Sequence, residues 1–556
     1  MSKVDAVTLE VMRNALQSVA EEMGVTLTRT ALSPNIKDRR DCSTAMYTGD
    51  GRLVAQAEHV PLHLGLMQSV VKAALQAYPV EELSPGDSII MNDPYISGSH
   101  LPDVCLFTPI FYKDKIVAIA ANLAHHVDIG GMTPGSMPVD AHEIFMEGMR
   151  IPPVKIQKSG ELDAELMKLL SANVRTSFEF FGDVQAQIAA NNVGARRFME
   201  LVDKYGLDHV TFYMEEIMNY ADRMMGVAIR EVGVQEASFT DYLEGDGFSD
   251  EPIPIKVNLS FTRDGVVVDF TGTAPQAYGS VNCTKGVTLA CVYYALKSIL
   301  NPEVPSSDGA FRQVKVITPS GTIVNPNFPA AVSNANINTA QRIADVVLGA
   351  MAKILPGSAI AASAGTMALF TIGGVDPVTN QYYSYVETYG GGQGAANGLD
   401  GMDGVHTNMT NTLNTPTEVI ENAYPLLVNR YGLVSDSEGP GQYRGGLGLV
   451  REITVLNHDA AVTLSTERAS IKPWGINEGC GGANSACKLI TADGEIRDMP
   501  AKITTVVPPG NTIIYITPGG GGYGPATSRS KVDVEMDILE GIVSLERARE
   551  IYSYKE

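Results

Sequence analysis

The chain has 556 residues, which is too many for one hydrophobic core, so we expect about two to four domains. Apolar residues make up 44% and charged residues 19% of the chain, as in compact soluble proteins. The formal net charge of −22 argues against nucleic acid as a partner, because few cations are left over to neutralise phosphates.

The sequence shows no pattern for secretion or for a membrane span. Its first residues, MSKVDAVTLEVMRNALQ, lack the basic segment and apolar run that mark a signal peptide. The longest uncharged apolar run, 116–124, is far shorter than the ~20 residues that a membrane helix requires. We therefore expect a cytoplasmic protein whose six cysteines are free thiols.

The N-terminal part of the chain mixes helical and strand patterns. Apolar residues recur at spacings of three and four over 5–31, which predicts an amphipathic helix. DCSTAMYTGDGRLVAQAEHV, at 41–60, predicts a β-hairpin, and a helix is expected near 64–78. SPGDSIIMNDPY, at 84–95, predicts a turn, a short buried strand and a polar loop.

The rest of the chain alternates between helical and strand-rich stretches. We predict helices within 160–232, a hairpin from 252, a helix over 339–355, strands over 449–516 and a last helix over 532–551. The segment 385–450 is rich in glycine and asparagine and too long for a simple connection, which indicates a functional loop.

These patterns predict an α+β fold of mixed sheets and long helices in intimately packed domains. We assign four segments: an N-terminal α+β domain that carries the candidate site, a helical segment, a central α+β domain with the glycine- and asparagine-rich loop, and a β-rich segment ending in a helix. Their predicted bounds are 1–158, 159–250, 251–448 and 449–556.

Three familiar motifs fail on their context. GGGGYG, at 519–524, matches a dinucleotide-binding pattern, but no βαβ unit follows it. His142-Glu143 begins like the HExxH zinc motif, but Met146 stands where the second histidine is needed. No Gly-Lys dipeptide occurs, so the chain has no Walker A nucleotide site.

Histidines and an aspartate stand at the two ends of one apolar hairpin. The runs 104–111 and 116–123 flank Tyr-Lys-Asp-Lys, which predicts two paired strands. Closing this turn brings together His100, Asp103, His125 and His126. Paired strand residues lie ~4.5–5.5 Å apart, close enough to share an ion, and two imidazoles with a carboxylate suit Mn, Fe or Zn.

The register of this hairpin decides which side chains meet. With residue 104 opposite 123, alternation puts His100 and His125 on one face and Asp103 and His126 on the other. Pro102 interrupts the ladder, so Asp103 can swing round, and a slip of one residue would pair Asp103 with His125. We favour His100, Asp103 and His125 as metal ligands, with His126 as the rival; the alternative is a histidine cluster that only caps loop backbone.

Several long stretches resemble the hydantoinase B/oxoprolinase family. They include RRDCSTAMYTGDGRL, NDPYISGSHLPDVCLFTPIF, ANLAHHVDIGGMTPGS, GDVQAQIAANNVGARRF, RIADVVLGAMAKILPG, DGVHTNMTNTLNTPTEVIENAYPLLVNRY, GPGQYRGGLGLVRE and ERASIKPWG. The resemblance runs from about residue 5 to residue 552.

The resemblance implies a division of labour between two kinds of subunit. In such systems an A-type subunit or domain binds ATP and phosphorylates the carbonyl oxygen of the substrate, and a B-type part handles the activated intermediate at a metal site. In the acetone carboxylase relative the ligands fall on an H-x-x-D motif and a later histidine, which correspond to His100, Asp103 and His125. The resemblance therefore implies an A-type partner, which would supply the nucleotide site that this chain lacks.

Further candidates come from the family motifs and from residue chemistry. Asp41, in RRDCS, is a further ligand or the general base, with an ion pair to Arg39 or Arg40 as the alternative, and His126 could assist proton transfer. Arg444 and Arg468 could grip phosphate or carboxylate, although a surface ion pair is the plainer role for each. Other positions whose roles stay open are His59, His63, Glu387, Gly390–Gly394, His406, Asn408 and Asn411.

Three functions follow from these observations. The first is a B-type subunit of an ATP-dependent hydrolase of cyclic amides, such as lactams, hydantoins or oxoproline, in a hetero-oligomer expected to contain two A-type and two B-type chains. The second is the metal-containing subunit of an ATP-dependent ketone carboxylase. The third is a metal-stabilised scaffold with its chemistry elsewhere. The sequence identifies neither the ring nor the metal.

Overall fold

The computed structural model describes residues 4–57, 59–97 and 99–555. Its α-helices are α1 (Ala6–Thr30), α2 (Pro34–Lys37), α3 (Pro61–Ala77), α4 (Pro94–Ser97), α5 (Ala164–Ser171), α6 (Ser177–Tyr205), α7 (Leu207–Val232), α8 (Lys285–Leu300), α9 (Ala340–Ile354), α10 (Thr417–Ala423), α11 (Lys531–Leu539) and α12 (Leu545–Ile551). A π-helix, Ala335–Thr339, runs directly into α9.

The strands follow the sequence patterns closely. They are β1 (Cys42–Thr48), β2 (Leu53–Gln56), β3 (Ser88–Met91), β4 (Asp103–Tyr112), β5 (Lys115–His125), β6 (Val154–Lys158), β7 (Glu161–Leu162), β8 (Gln235–Leu243), β9 (Ile253–Phe261), β10 (Val266–Asp269), β11 (Val314–Ile317), β12 (Leu369–Val375), β13 (Tyr382–Thr388), β14 (Leu426–Leu433), β15 (Leu449–Val455), β16 (Ala460–Ser465), β17 (Ala486–Ile490), β18 (Ile496–Met499), β19 (Lys502–Val507) and β20 (Thr512–Ile516).

The strands form four sheets, and the predicted α+β class is confirmed. The sheet orders are β2-β1-β5-β4-β3-β6-β7, β11-β10-β9-β8, β13-β12-β16-β19 and β14-β15-β20-β17-β18. The pair β10–β11 is parallel, whereas the other strand pairs of the described residues are antiparallel. No helix of the described part of the chain is long and apolar enough to cross a membrane. The domain boundaries stay a prediction.

The two faces of the seven-stranded sheet are covered by different helices. Because strand side chains alternate, β5 buries Ala118 and Ala120 against α1 and α6 on one face, and Ile119 and Ala121 beneath α3 on the other. The same alternation continues to the end of β5 and assigns its last residue, His125, to the α3 face.

The β4–β5 hairpin departs from the predicted register by one residue. Its turn pairs Tyr112 with Lys115 as predicted, but Val117 is an extra residue that forms a β-bulge. Beyond the bulge, Asp103 lies directly opposite His125. The predicted pairing of residue 104 with 123 is therefore wrong, and the bulge puts Asp103 on the same face as His125.

The predicted C-terminal helix over 532–551 is also wrong as a single element. The chain forms α11 and α12 instead, separated at Gly541, whose φ of +72° lies in the left-handed region. Ser544 then starts α12 by accepting a hydrogen bond from the backbone N–H of Arg547.

Candidate metal centre

Three of the side chains at the end of the hairpin form a buried group, which we call the His–Asp cluster: His100, Asp103 and His125. One ligand atom from each residue lies within 4.8 Å of the others. Nε2 of His100 is 3.3 Å from Oδ2 of Asp103. Two donors bound to one ion at about 2.1 Å in tetrahedral geometry would stand about 3.4 Å apart, so this spacing fits two ligands of one ion.

The strands and the turn before them hold the cluster in place. Asp103 is the first residue of β4 and pairs with His125, the last residue of β5. His100 lies one turn earlier, where its carbonyl accepts from the backbone N–H of Asp103 at 3.1 Å. Nδ1 of His100 is 3.0 Å from the carbonyl oxygen of Ser333. Because a carbonyl only accepts, the ring proton lies on Nδ1 and the Nε2 lone pair is available.

Two atoms of the cluster are buried without a hydrogen-bond partner. They are Nε2 of His100 and Oδ1 of Asp103. Buried polar atoms are nearly always hydrogen-bonded, so such orphans call for a ligand. Two imidazoles and a carboxylate form a donor set that suits Mn, Fe or Zn and leaves coordination positions open. These residues therefore fit a divalent metal ion.

Asp103 is surrounded by groups that stabilise its ionised form. Its Oδ2 accepts hydrogen bonds from the Ser99 hydroxyl and from Nδ2 of Asn336, the latter at 3.2 Å. Nε2 of His63, on α3, lies 3.7 Å from the same oxygen. The sequence interpretation left His63 open and missed Asn336, which belongs to the π-helix before α9; only an asparagine-rich run, SNANINT, marked that segment.

The pKa shifts of the cluster favour an ionised Asp103 and a neutral His125. Burial raises the pKa of Asp103, but His100 and His63 outweigh it and hold that pKa well below its usual range. Burial lowers the pKa of His100, yet the Asp103 carboxylate outweighs it, so that this pKa is raised overall. Burial lowers the pKa of His125 to about 4, so this ring is neutral near pH 7. A neutral imidazole and an ionised carboxylate are the forms that bind metals.

Asn35 fixes the ring of His125. Its amide nitrogen lies 2.9 Å from Nδ1 of His125 and donates to the backbone carbonyl of the same residue at 2.8 Å. Its amide oxygen accepts from Arg39, which sets the orientation of the amide. Nδ1 of His125 is then an acceptor, and the neutral ring carries its proton on Nε2. Coordination through Nε2 requires the other neutral tautomer, in which the ring proton lies on Nδ1.

The cluster opens into a cavity of about 420 Å³, which we call the cluster cavity. One side is polar and includes the cluster, and the other is formed by aliphatic and methionine side chains. The lining residues are Arg39, Asp41, Val60, Leu62, His63, His100, Asp103, His125, Met137, Asn336, Ile337, Met367, Leu369, Val386, Thr388, Thr410 and Thr412.

The two predicted catalytic residues occupy different places. Asp41 lines the cluster cavity, and its backbone carbonyl accepts from the N–H of His125 at 3.0 Å. His126 is turned to the opposite face of the sheet, where its Nε2 lies 3.0 Å from Oε1 of Gln187 and its ring centroid 4.9 Å from that of Phe180. It does not line the cavity, so its predicted part in proton transfer has no support in this geometry.

The structure does not bring the two predicted anion-binding arginines to the cavity. Arg444 forms ion pairs with Asp403 at 2.9 Å and Asp537 at 3.1 Å. Arg468 pairs with Asp241 at 2.8 Å and Asp345 at 3.0 Å. Their donors serve carboxylates from distant parts of the chain, and no sequence pattern pointed to these partners. The plainer alternative, a surface ion pair, placed both arginines on the surface, but both are buried.

The glycine- and asparagine-rich segment contributes to the cavity through residues that the sequence interpretation did not select. Thr388, Thr410 and Thr412 line it, whereas His406 and Asn408 line a neighbouring cavity of about 810 Å³. Glu387 supports the segment by accepting from the backbone N–H of Thr415 at 2.7 Å. Two further candidates, His59 and Asn411, line a third cavity of about 980 Å³.

Known proteins resemble this chain over nearly its whole length. The Hydantoinase B/oxoprolinase family model matches residues 5–526. An uncharacterized protein of Methanocaldococcus jannaschii is 42% identical over 99% of this chain and 96% of its own length. The B-type chain of a putative D-/L-hydantoinase from Pseudomonas sp. is 34% identical over 99% and 95%. 5-Oxoprolinase 1 of Arabidopsis thaliana is 37% identical over 94% of this chain, which spans only 42% of that protein.

Solved structures agree with these relatives. The ATP-dependent caprolactamase of Pseudomonas jessenii superimposes with a TM-score of 0.93 at 31% identity, covering 99% of this chain and 96% of that chain. A nucleotide-free acetone carboxylase has a TM-score of 0.91 at 19% identity, covering 99% and 79%, which shows the shared fold alone. The resemblance seen in the sequence is thus confirmed, and the chain belongs to the hydantoinase B/oxoprolinase family.

Proposed function

We propose that this chain is the B-type subunit of an ATP-dependent hydrolase of cyclic amides. The observation that carries the proposal is the buried His–Asp cluster, with its two unpartnered donor atoms, at the wall of a cavity. The hydantoinase relative and the caprolactamase support a cyclic amide as the substrate class. The substrate itself is a lactam, a hydantoin or oxoproline.

The chemistry follows from the resistance of amides to water. Phosphorylation of the carbonyl oxygen by an A-type subunit turns that oxygen into a leaving group. A first water adds to the ring carbon, and cleavage of the carbon–nitrogen bond, with a proton delivered to nitrogen, opens the ring and leaves an acyl phosphate. A second water then forms the carboxylate, and phosphate departs with the electrons of the broken carbon–oxygen bond.

The chain's own residues supply the place for these steps. His100, Asp103 and His125 would hold the divalent ion, which when bound lowers the pKa of a water molecule from 15.7 to about 7 and so supplies hydroxide at neutral pH. Asp41, in the same cavity, would accept the proton from the attacking water.

The proposed reaction requires a second polypeptide. Because the sequence has no Walker A motif, ATP would be bound by the A-type subunit. Phosphorylated intermediates react with water, so the intermediate should pass between subunits without release, and this requires a lasting interface. Obligate interfaces of this kind commonly bury ~2,000 Å² or more. We propose a hetero-oligomer of two A-type and two B-type chains, which light scattering of the co-purified complex would test.

The alternative function is the metal-containing subunit of an ATP-dependent ketone carboxylase. The acetone carboxylase structure favours it only at the level of fold. The reaction classes differ in one reactant, because a carboxylase consumes bicarbonate and a hydrolase consumes water.

The test is to co-express the chain with an A-type subunit and to screen lactams, hydantoins, oxoproline and ketones. ATP consumption and product formation would be followed with and without bicarbonate. We expect ATP-dependent ring opening that does not need bicarbonate. Turnover that depends strictly on bicarbonate would contradict the hydrolase and support the carboxylase. Ring opening by this chain alone, without ATP, would contradict the proposed division between subunits.

A further inference from the structure

Arg39 is a buried cation whose hydrogen-bond partners are all neutral. It follows α2, and its side chain lines the cluster cavity at 1% exposure. Its Nη1 donates to the side-chain oxygen of Asn35 and to the carbonyl oxygen of Val386, the latter at 2.9 Å. Its Nη2 donates to the hydroxyl of Thr388 at 2.7 Å, and its Nε has no partner.

The other arginines of comparable burial are close to carboxylates. Arg342 lies 3.0 Å from Asp241, and Arg451 lies 3.8 Å from Glu387. Within the residues that the structure describes, Arg39 forms no ion pair. Nitrogens without hydrogen-bond partners also occur on Arg342 and Arg451. The lack of a carboxylate, together with its place in a cavity wall, distinguishes Arg39.

An unpaired guanidinium in this position is costly. A buried charge without a counter-charge destabilises a fold. The cost falls if an anion occupies the cavity beside it. A ligand therefore completes this part of the site, and that ligand carries negative charge.

The position of Arg39 links this anion to the His–Asp cluster. Asn35 contacts Arg39 through its amide oxygen and His125 through its amide nitrogen, so a single side chain joins the two groups. With a divalent ion bound, the charges of that ion and Arg39 exceed those of the carboxylates of Asp41 and Asp103, which line the same cavity. The loaded cavity then has a net positive charge.

We propose that Arg39 is the phosphate-binding residue of the cluster cavity. The inference rests on the proposed function and deepens it: Arg39 holds the phosphoryl group of the activated cyclic amide, then that of the acyl phosphate, and finally the released phosphate. A guanidinium offers a planar set of N–H donors that matches phosphate oxygens, and its free Nε–H is one of them. This role replaces the one that the sequence interpretation gave to Arg444 and Arg468.

The test uses inorganic phosphate as the probe and the metal-loaded chain without substrate or partner subunit. Titration calorimetry should detect phosphate binding by the wild-type protein. Arg39→Gln should weaken it about 10- to 100-fold, the loss expected for hydrogen bonds to a charged group. Arg39→Lys keeps the charge but loses the fork of donors, and it should also bind phosphate more weakly. Metal content and thermal unfolding show whether each variant is folded and loaded.

Arg430→Gln is the matched control, because that arginine has a side chain 58% exposed on β14 and lies 3.6 Å from the carboxylate of Glu452. It should bind phosphate as the wild type does. No phosphate binding by the loaded wild type, or wild-type affinity in either folded Arg39 variant, would overturn the inference. If the complex hydrolyses a lactam and the Arg39→Gln chain keeps full phosphate affinity, only the role of Arg39 is contradicted, and the proposed function stands. If turnover depends on bicarbonate and the Arg39→Gln chain has lost its phosphate affinity, only the proposed function is contradicted, and the role of Arg39 in binding phosphate stands.

Discussion

Two groups of buried charged residues differ in how their charges are balanced. In one, which we call the arginine pair, Arg342 and Arg468 share the carboxylate of Asp241 at 3.0 and 2.8 Å. Close by, Lys502 contacts Glu467 at 2.5 Å. The protein supplies both signs of charge there. Because Asp241 belongs to β8, its ion pairs connect β8 to α9 and to the loop after β16.

The cluster cavity has the opposite character. Atoms of His100, Asp103 and Arg39 are buried in its wall without partners, and no carboxylate pairs with the guanidinium among the described residues. Charges that pair with each other hold segments of a fold together, whereas a charge without a counter-charge in a cavity wall, such as that of Arg39, marks a place for a ligand. We therefore predict that the first group stabilises the fold and that the second binds a ligand.

The largest effect is expected for Asp103→Asn. The substitution removes the charge of a candidate metal ligand and leaves the strand pair intact. Removing a residue that only supports a ligand costs roughly 10–100-fold in activity, and turnover by the complex with the A-type subunit should fall by more than this. The measurement is initial rate with ATP and the cyclic amide that gives the best turnover. Asp114→Asn, at the exposed turn of the same hairpin, is the control and should be active. If folded Asp103→Asn keeps the wild-type rate, the cluster takes no part in the reaction.

Asp241→Asn should break the arginine pair and affect stability. Taking one partner from an isolated buried ion pair costs about 3–5 kcal/mol, and we expect a smaller loss here because Asp345 and Glu467 still lie near the two arginines. Urea unfolding should show this loss in the free energy of unfolding. Asp250→Asn, at an exposed position, should leave the unfolding midpoint unchanged. If Asp241→Asn unfolds like the wild type, the structural role assigned to the arginine pair is wrong.

Glu147 is an intermediate case, a buried carboxylate held by the backbone N–H groups of Val332 and Ser333, both at 2.7 Å. Burial raises its pKa from 4.5 to about 7, against the lowering effect of these hydrogen bonds. Between these values the folded state holds more protons than the unfolded state. The contribution of Glu147 to stability is therefore present below pH 4.5 and is lost as the pH rises through about 7.

Glu147→Gln removes this titration. From about pH 4.5 to 7, the free energy of unfolding of the wild type should fall relative to that of the variant, by up to about 1.4 kcal/mol per pH unit between the two pKa values. Urea unfolding at several pH values measures the difference. Glu550→Gln, which is exposed, should run parallel to the wild type. Parallel curves for Glu147→Gln and the wild type would contradict the raised pKa.

The smallest effect is expected for His126→Ala. Its ring contacts Gln187 and Phe180 on the α6 side of the sheet, away from the cavity. Turnover should fall by less than about 10-fold, below the effect of removing a residue that supports a ligand. His125→Ala provides the contrast, since its ring belongs to the cluster. If His126→Ala lowers turnover more than His125→Ala does, the assignment of the reaction to the His125 face of β5 is wrong.

The sequence predicted local elements well, because apolar spacing and turn residues determine them. The hairpin of β4 and β5 and the helices α1 and α9 follow directly from such patterns. The bulge at Val117 was missed, since an extra residue inside an apolar strand changes no visible alternation. Gly541 was a visible helix breaker, but the apolar spacing on both sides of it suggested one helix.

Residues that meet across the fold were harder to predict. His100, Asp103 and His125 were selected because a single hairpin brings them together. Asn336 approaches the same carboxylate from more than two hundred positions away. Arg39, Arg444 and Arg468 look alike in the sequence, and only their partners, contributed by distant strands and helices, separate a charge that is balanced from one that is not.

The metal content of the purified chain shows most directly whether the His–Asp cluster holds one divalent metal ion. Elemental analysis after incubation with Mn, Fe or Zn and removal of excess ion should give about one ion per wild-type chain. His100→Ala should lose most of it, while His126→Ala, altered on the opposite face of the sheet, should keep it. Folded wild-type protein that binds none of these metals, or a His100→Ala variant that keeps the full amount, would contradict the account.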